Sequence, residues 1–178
     1  MRFCTQFGPL HLKRWLMRSD AEAFLQKNDA RVDEVSLARS GGSWTTLLRE
    51  RTGRQSAAGL LMETDYHGIE PQLLLAVDRV MVGVGGHICA VRPSDWQAEW
   101  THQLNSPFYA FLCLASVDTF VVVHELGVEK LDGHGRVLWS YASMEIVSEW
   151  DSDEVTLDIG LYDGSRTILD LATGGAAE

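Results

Sequence analysis

The sequence predicts a mainly β protein with one helix near the N-terminus, and three observations support that fold class. Short apolar runs rich in β-branched residues recur along most of the chain, separated by polar turns that contain glycine. Apolar residues share one face in several runs, as Val80, Val82 and Val84 do and as Val155, Leu157 and Ile159 do. A helical spacing of apolar residues, by contrast, is readable at residues 19–29.

A chain of 178 residues can bury a core without disulfides or metal ions. We expect a single domain over residues 1–178, with a basic N-terminal segment at 1–31 and an antiparallel β region at 32–178. The longest apolar run, residues 108–115, is far shorter than the roughly 20 residues that span a bilayer. We therefore expect no membrane segment.

The helix predicted over residues 19–29 begins with a capping box. Ser19 stands at its start and Glu22 three residues later, a pairing that satisfies backbone N–H groups of the first turn. Phe24 and Leu25 belong to its packing stripe. Because so short a helix is marginal alone, we expect it to cover a face or an edge of the sheet.

A repeat of strand pairs organises the β region. Four segments start with an aspartate, continue as an apolar run, a glycine-bearing turn and a second run, and then reach another polar turn. The starting residues are Asp33, Asp78, Asp118 and Asp153, and the first turns lie at 41–42, 85–86, 125–127 and 163–164. Since glycine accepts the positive φ that tight reversals need, each unit is interpreted as a hairpin. The runs at 73–77 and 111–115 lack alternation and are expected to be buried on both faces.

Two arrangements of these antiparallel hairpin repeats stay open. A β-sandwich or barrel of about ten strands is favoured, because small closed rings are rare. The alternative is a small four-bladed, propeller-like ring. In that ring the N-terminal run at 1–7 would complete the last unit, which has no third strand of its own.

The segment "LDGHGRVLW", from Leu131 to Trp139, resembles the repeat of quinoprotein-like (PQQ-like) β-propellers. In that repeat a strand, an aspartate, a Thr-Gly turn and a tryptophan-bearing strand recur about every 40 residues. The resemblance covers residues 78–143, and it departs from the pattern because Gly135 comes one position early and no threonine precedes it. It implies blade-like sheets, while the cofactor-binding and catalytic residues of those dehydrogenases find no matching positions in this chain.

The motifs that would indicate chemistry are incomplete. "GVGG" at 83–86 lacks the third glycine of a dinucleotide loop, because Ile88 stands there. "HELGV" at 124–128 lacks the second histidine of a zinc-protease helix, because Val128 takes that place. His87 and Cys89 on one strand face are interpreted as ordinary sheet residues, and the acidic run 149–154 as a solvated turn. We expect no cofactor, no metal site and no catalytic residue, and we lean against an enzyme.

Three scattered cysteines, Cys4, Cys89 and Cys113, do not indicate a disulfide framework. A reducing, cytoplasmic location is the corresponding expectation. Cys89 and Cys113 stand in apolar runs, where a thiol behaves as a small hydrophobic group with a raised pKa.

The net charge of −10 is unevenly distributed. Residues 1–54 carry ten basic and six acidic groups, whereas residues 55–178 carry five basic and nineteen acidic groups. Such an acidic surface repels phosphate backbones, so we expect no nucleic-acid partner. We expect the basic part to pack on the acidic remainder, with head-to-tail self-association of copies as the alternative.

Two sets of residues are candidates for a ligand or partner surface. The first set is aromatic and consists of Trp96, Trp100, Trp139 and Trp150, which would form a docking surface if several were exposed together. The second set, Asp65, His67 and Glu70, lies in one loop. We therefore predict a non-enzymatic binding or protein-interaction domain. The alternative is a small enzyme or small-ligand binder that uses the loop set in a cleft at a sheet end.

Overall fold

A computed structural model of the chain describes residues 2–38, 42–53, 56–65, 68–113 and 119–177. One helix and sixteen strands in four sheets are found there, so the mainly β fold class is confirmed. Contacts divide the chain into an N-terminal unit, Met1–Gln103, and a C-terminal unit, Leu104–Glu178. The expectation of a single domain stays a prediction.

The N-terminal unit contains a five-stranded and a four-stranded sheet. The first sheet and its helix comprise β1 (Arg2–Thr5), β2 (Gly8–Trp15), α1 (Arg18–Lys27), β3 (Arg31–Ser36), β4 (Ser43–Arg49) and β5 (Ala58–Thr64). The second sheet comprises β6 (Gln72–Leu75), β7 (Val80–Val84), β8 (His87–Arg92) and β9 (Gln97–Gln103). The spatial orders are β1-β2-β4-β5-β3 and β6-β7-β8-β9.

The C-terminal unit contains a four-stranded and a three-stranded sheet, each in chain order. The four-stranded sheet comprises β10 (Phe108–Cys113), β11 (Thr119–His124), β12 (Gly127–Asp132) and β13 (Val137–Ala142). The three-stranded sheet comprises β14 (Val147–Ser152), β15 (Thr156–Leu161) and β16 (Arg166–Asp170). All neighbouring strands of this unit pair antiparallel.

The N-terminal unit has three layers: the helix, the first sheet and the second sheet. Side chains of the first sheet alternate between the face toward the helix and the face toward the second sheet. On β4, Leu47 joins a buried cluster with Val82 of the second sheet, while Leu48 packs on the other face with Leu25 of α1. Successive strand residues point to opposite faces, so one apolar strand serves both layers. The helix approaches closely because Gly59 has no side chain: a Cβ there would lie 2.6 Å from Leu25 Cδ2.

One buried cluster joins the two sheets of the C-terminal unit. Val121 and Val123 of β11 pack there with Leu157 and Ile159 of β15 and Leu169 of β16. The two-residue spacing on β11 and on β15 places these side chains on the facing sides of the two sheets.

Most predicted reversals are confirmed as turns between neighbouring strands. Gly85 lies between β7 and β8, and Gly135 lies between β12 and β13. Gly127 begins β12 at φ +153°, and a Cβ there would lie 2.1 Å from the Tyr141 carbonyl oxygen, so only glycine fits without a shift.

Aspartates hold four reversals of the C-terminal unit. Each accepts the backbone N–H two residues ahead, in the manner of an Asx turn. The acceptors are Asp132, Asp153, Asp163 and Asp170. For Asp132, burial raises the pKa, but hydrogen bonds from Arg136 and the His134 N–H outweigh it, so the pKa lies below its usual value. Hydrogen bonding likewise lowers the pKa of the other three.

The predicted topology of the first 64 residues is wrong in three respects. Strands begin at Arg2, so the β region is not confined to 32–178. The N-terminal run pairs with β2 in the first sheet and does not complete the last one. The hairpin predicted from Asp33 does not form either, because β3 pairs parallel with β5 instead of with β4. Gly41 of that predicted turn lies outside the described residues.

The helix occupies Arg18–Lys27 rather than 19–29, and its capping box is absent. The residue at the N-cap is Met17, which makes no side-chain cap hydrogen bond. Glu22 instead accepts a hydrogen bond from Arg18 Nε at 2.6 Å, because the two lie one helical turn apart. The charged pair thus replaces the predicted contact between Glu22 and the backbone.

Some predicted burial is also wrong. The run at 73–77 is not buried on both faces, because Leu75 and Val77 are exposed. Val155 is 61% exposed in the turn before β15, although its partners in the predicted alternation are buried. Phe111 and Leu112 of the second run are half-buried, and residues 114 and 115 lie outside the described part of the chain.

The sheets combine features of both predicted architectures. Within each unit two sheets share a core face to face, as in a sandwich. Yet β6–β9 and β10–β13 are each four antiparallel strands in chain order, which is the construction of a propeller blade. No sheet closes into a barrel within the described residues.

Candidate functional site

A cleft of about 570 Å³ lies in the N-terminal unit, beside the turn between β1 and β2. Its wall consists of that turn together with Arg49 at the end of β4, Thr52 and Pro93. Phe7 contributes an aromatic ring that is partly buried against the core between the two sheets. Arg49 is the charged residue in this lining.

The guanidinium group of Arg49 is fixed by backbone carbonyls. Nη1 donates a hydrogen bond to the Pro93 carbonyl at 3.2 Å, and Nη2 donates to the Ser56 carbonyl at 3.1 Å. Nε is buried and has no hydrogen-bond partner among the described residues. The group therefore has a defined orientation, and two backbone carbonyl dipoles partly compensate its positive charge.

Trp96 lies against this guanidinium group. The Arg49 Cζ atom is 5.3 Å from the centre of the indole ring, within cation–π range. Trp96 is 2% exposed and adopts φ +63°, a conformation that costs a non-glycine residue about 1–2 kcal/mol. The turn holds it there through a hydrogen bond from its backbone N–H to the Arg92 carbonyl at 2.8 Å.

An exposed apolar surface lies at one end of the three-stranded sheet. We call Met144, Ile146 and Tyr162 the Tyr162 patch, and their exposed fractions are 97%, 41% and 79%. The Tyr162 N–H donates a hydrogen bond to the Ile146 carbonyl at 2.9 Å, which joins the two loops that carry the patch. Large apolar side chains that are this exposed, on loops joined by a hydrogen bond, are typical of interaction surfaces.

The charge around the Tyr162 patch is negative. Glu145 and Asp163 are exposed neighbours of the patch residues in the chain. Hydrogen bonds from the Ser165 side chain and backbone lower the pKa of Asp163, which favours its charged form. The nearby Arg166 pairs with Asp158 at 2.9 Å and with Glu149, so its charge is already neutralised. Residues 104–178 contain three basic and thirteen acidic groups, for a net charge of −10.

A buried group of three polar side chains, Ser106, His124 and Glu129, resembles a catalytic triad in residue types alone. Ser106 Oγ lies 2.6 Å from His124 Nδ1 and also accepts the Leu126 N–H at 2.8 Å. His124 Nε2 is 4.0 Å from Glu129 Oε1. Because Ser106 is buried and its hydroxyl is committed to these bonds, the group supports the fold at the β11–β12 turn and presents no nucleophile.

The structure divides the four predicted surface tryptophans between the two units. Trp96 is buried, which contradicts its proposed place on a surface, and Trp100 is half-buried on β9. Trp139 is half-buried and donates from Nε1 to the Leu171 carbonyl at 3.3 Å. Trp150 stacks on Tyr109 with ring centres 5.9 Å apart. Their role toward a partner stays a prediction.

The structure describes two of the three residues of the loop set. Asp65 is half-buried, and Glu70 pairs with Arg14 at 2.8 Å with its carboxylate largely exposed. His67 lies outside the described residues. Their proposed participation in a cleft stays a prediction.

The buried thiol of Cys89 is an inert core group. Burial, together with the negative charge of Asp33, raises its pKa to about 12, which agrees with the expectation from the sequence. The side chains of Cys4 and Cys113 lie outside the described part. In that part, no three His, Cys, Asp or Glu side chains are grouped to hold a metal ion. The described helix is too short and too polar to cross a membrane.

Few sequence patterns indicate the residues that form these sites. Arg49 ends the apolar run "TTLLR", and a charge placed directly after a buried strand was the available sign. Met144 and Tyr162 stand in turn regions without a motif, and the pairing of β14 with β15 brings Tyr162 beside Ile146, two residues after Met144. Ser106 and His124 are 18 residues apart and meet only through strand pairing.

No protein-family model and no curated protein matches the sequence. Among solved structures, the computationally designed Ika4 protein is similar at 18% identity and a TM-score of 0.52, over 65% of this chain and 75% of that chain. BamB from Moraxella catarrhalis is similar at 18% identity and a TM-score of 0.46. That likeness covers 95% of this chain and 50% of BamB, so the chain spans half of BamB's length.

At 18% identity, the likeness to Ika4 is evidence about the fold alone. The likeness to BamB, with a TM-score of 0.46, supports no conclusion. Residues 78–143 contain blade-like antiparallel sheets, with β7–β9 in one and β10–β13 in another.

Proposed function

We propose that the chain is a non-enzymatic protein-interaction domain whose C-terminal unit binds a basic, amphipathic segment of a partner through the Tyr162 patch. The observation that carries this proposal is the exposure of Met144 and Tyr162 beside the exposed acidic residues Glu145 and Asp163. Burial of such side chains on binding gains roughly 25 cal/mol per Å² of apolar area. Acidic groups at the rim favour lysine and arginine and speed the encounter.

The proposal extends to the setting of the domain. We propose a cytoplasmic location and a protein partner rather than a nucleic acid, since the acidic C-terminal unit repels phosphate. We also propose that residues 78–143 are related to PQQ-like propeller blades and serve as a binding scaffold, without the cofactor of those dehydrogenases.

The test uses the whole chain and synthetic peptides in which Lys or Arg alternates with Leu or Phe. Calorimetry should show saturable binding that weakens as salt rises, because exposed charges are screened. Tyr162→Ser and Met144→Ser should each weaken binding by about ten-fold, since central apolar anchors dominate such interfaces. Peptides with Glu in place of each basic residue should not bind.

Val155→Ser is the matched control, because Val155 is equally apolar and 61% exposed, in the turn between β14 and β15. It should leave the affinity unchanged. The proposal is wrong if no basic peptide binds the folded chain, or if Val155→Ser weakens binding as much as Tyr162→Ser does.

A further inference from the structure

We propose that the cleft at Arg49 is a binding site for a small organic carboxylate with an apolar group. This site lies in the N-terminal unit and is independent of the Tyr162 patch. The inference rests on the charge of Arg49, with which no described carboxylate pairs, on its fixed orientation and on the residues beside it.

Arg49 differs from the other arginines that the structure describes. Seven of these nine side chains form an ion pair with a carboxylate: Arg14, Arg18, Arg51, Arg79, Arg92, Arg136 and Arg166. Arg31 has no such pair but is exposed, so water compensates its charge. Arg49 is half-buried, and no described carboxylate pairs with it. A half-buried charge without a counter-ion is costly, and an anion in the cleft would relieve that cost.

The guanidinium group is also preorganised for a planar anion. Its bonds to the Pro93 and Ser56 carbonyls use two of its five N–H donors. Contact with the Trp96 ring restrains the plane of the group. A carboxylate matches this fork geometry, and little side-chain entropy is lost on binding because the group is already held.

The neighbouring residues favour a carboxylate that carries an apolar group. Thr52 contributes a hydroxyl that makes no hydrogen bond among the described residues and can donate to a second oxygen. The Phe7 ring offers an apolar contact in the same cleft. Thr5 and Gln6 have another task, since their side chains bond the Gly8, Ala76 and Val77 carbonyls and so hold the wall in place.

The test measures binding of phenylacetate to the whole chain by calorimetry and by tryptophan fluorescence. Saturable one-to-one binding is expected, together with a rise in the unfolding temperature as the ligand concentration increases. Phenylacetamide keeps the ring but lacks the charge, and acetate keeps the charge but lacks the ring. Each should bind at least ten-fold more weakly than phenylacetate does.

Further probes distinguish the sources of the carboxylate. A short peptide that ends in phenylalanine is compared with its C-terminally amidated form. Preference for the free peptide over phenylacetate would assign the site to chain termini, and the reverse would assign it to small acids. Inorganic phosphate is a competitor that should not displace phenylacetate at equal concentration.

Two variants locate the site. Arg49→Gln should abolish binding, and Thr52→Val, which keeps the Arg49 contacts, should weaken it several-fold. Arg51→Gln is the control, because that arginine is exposed and pairs with Asp29 outside the cleft. If Arg49→Gln fails to fold, the affinity of Thr52→Val for phenylacetate and the comparison of phenylacetate with phenylacetamide decide whether the proposal holds.

The proposal is overturned if phenylacetate does not bind the folded chain, or if phenylacetamide binds equally. It is also overturned if Thr52→Val and Arg51→Gln have the same effect. Tyr162→Ser should leave phenylacetate binding unchanged, so failure of this proposal and failure of the peptide-binding proposal are separate outcomes.

Discussion

The Arg49 guanidinium carbon lies 5.3 Å from the centre of the Trp96 ring, and this contact connects the two sheets of the N-terminal unit. Arg49 ends β4 in the first sheet, whereas Trp96 stands in the turn between β8 and β9 of the second. The same guanidinium donates to the carbonyl of Pro93 in that turn. Arg49 is therefore both a structural clamp and the charged group of the cleft.

Arg49→Lys should destabilise the N-terminal unit even without a ligand. A lysine ammonium cannot reach both carbonyls in the fixed fork geometry of arginine, and it loses the contact of the planar guanidinium with Trp96. We expect a loss of about 1–3 kcal/mol in the free energy of unfolding, measured by urea denaturation. Arg51→Lys, at an exposed pair, should cause a smaller change, and equal losses would argue against the clamp.

Leu157→Ala should test the core shared by the two sheets of the C-terminal unit. Leu157 is fully buried in that cluster, and the truncation leaves a cavity beside Val123. The expected loss is about 2–5 kcal/mol, measured as a shift of the denaturation midpoint. Val155→Ala removes a similar side chain from an exposed turn and should change stability by less than about 0.5 kcal/mol. A small effect of Leu157→Ala would contradict the packing described for β15.

Gly127→Ala should be far more damaging than Gly164→Ala. Both glycines have positive φ, but a Cβ at Gly127 would lie 2.1 Å from the Tyr141 carbonyl oxygen, whereas a Cβ at Gly164 meets nothing within 4 Å. We expect the free energy of unfolding to fall by about 1 kcal/mol in Gly164→Ala and by more than about 3 kcal/mol in Gly127→Ala. Thermal unfolding of the two variants checks this order, and similar melting temperatures would refute the close approach of β12 and β13.

Asp163→Asn should make the C-terminal unit less sensitive to acid. Hydrogen bonds from the Ser165 hydroxyl and backbone hold the pKa of Asp163 below its ordinary value of 3.8. The folded state therefore prefers the charged form of Asp163. The stability that this carboxylate contributes is present above its ordinary pKa and is lost as the pH falls through its pKa in the folded state. Asparagine accepts the same bonds without titrating in this range.

Melting temperatures measured from about pH 6 to about pH 2 check this prediction. Asp163→Asn should show a smaller decline with acid than the parent, while Asp163→Ala should already be less stable at neutral pH. An unchanged acid slope in Asp163→Asn would contradict the role of the carboxylate in this turn.

Alkylation of Cys89 should require unfolding. Burial raises its pKa to about 12, so the reactive thiolate is scarce at neutral pH and the sulfur is shielded as well. In a variant with Cys4 and Cys113 replaced by serine, iodoacetamide should react slowly with the native chain and quickly in urea, as mass spectrometry would show. Rapid labelling of a chain that keeps its native circular dichroism would be the contrary result.

Sequence patterns predicted the hairpins best where one short glycine or Asx turn joins two runs, as at Gly85 and Asp132. There the turn chemistry and the strand register are both local. The same reasoning failed for β3, whose partner β5 lies beyond an intervening strand, because nothing local specifies a parallel edge pairing. It also failed for the helix start, where Arg18 took the carboxylate of Glu22.

The candidate sites were less predictable than the strands. The tryptophans were predicted to form a surface because of their residue type. The exposure of an indole ring, however, depends on which strand face packs in the core, and Trp96 is buried there in contact with Arg49. The pairing of β14 with β15 places Tyr162 beside the loop that carries Met144. The spacing of these residues in the sequence predicts neither grouping.

Local sequence patterns specify the mainly β class, the alternating strand faces and most of the turns, and composition specifies the acidic character of the C-terminal part. These properties depend on neighbouring residues and on composition. Pairing between remote strands depends on the tertiary structure. So do the exposure of Met144 and Tyr162 and the absence of a carboxylate partner for Arg49 among the described residues. The physical reason is that burial and ion pairing are properties of groups brought together from remote positions, and many chain foldings satisfy the same local pattern.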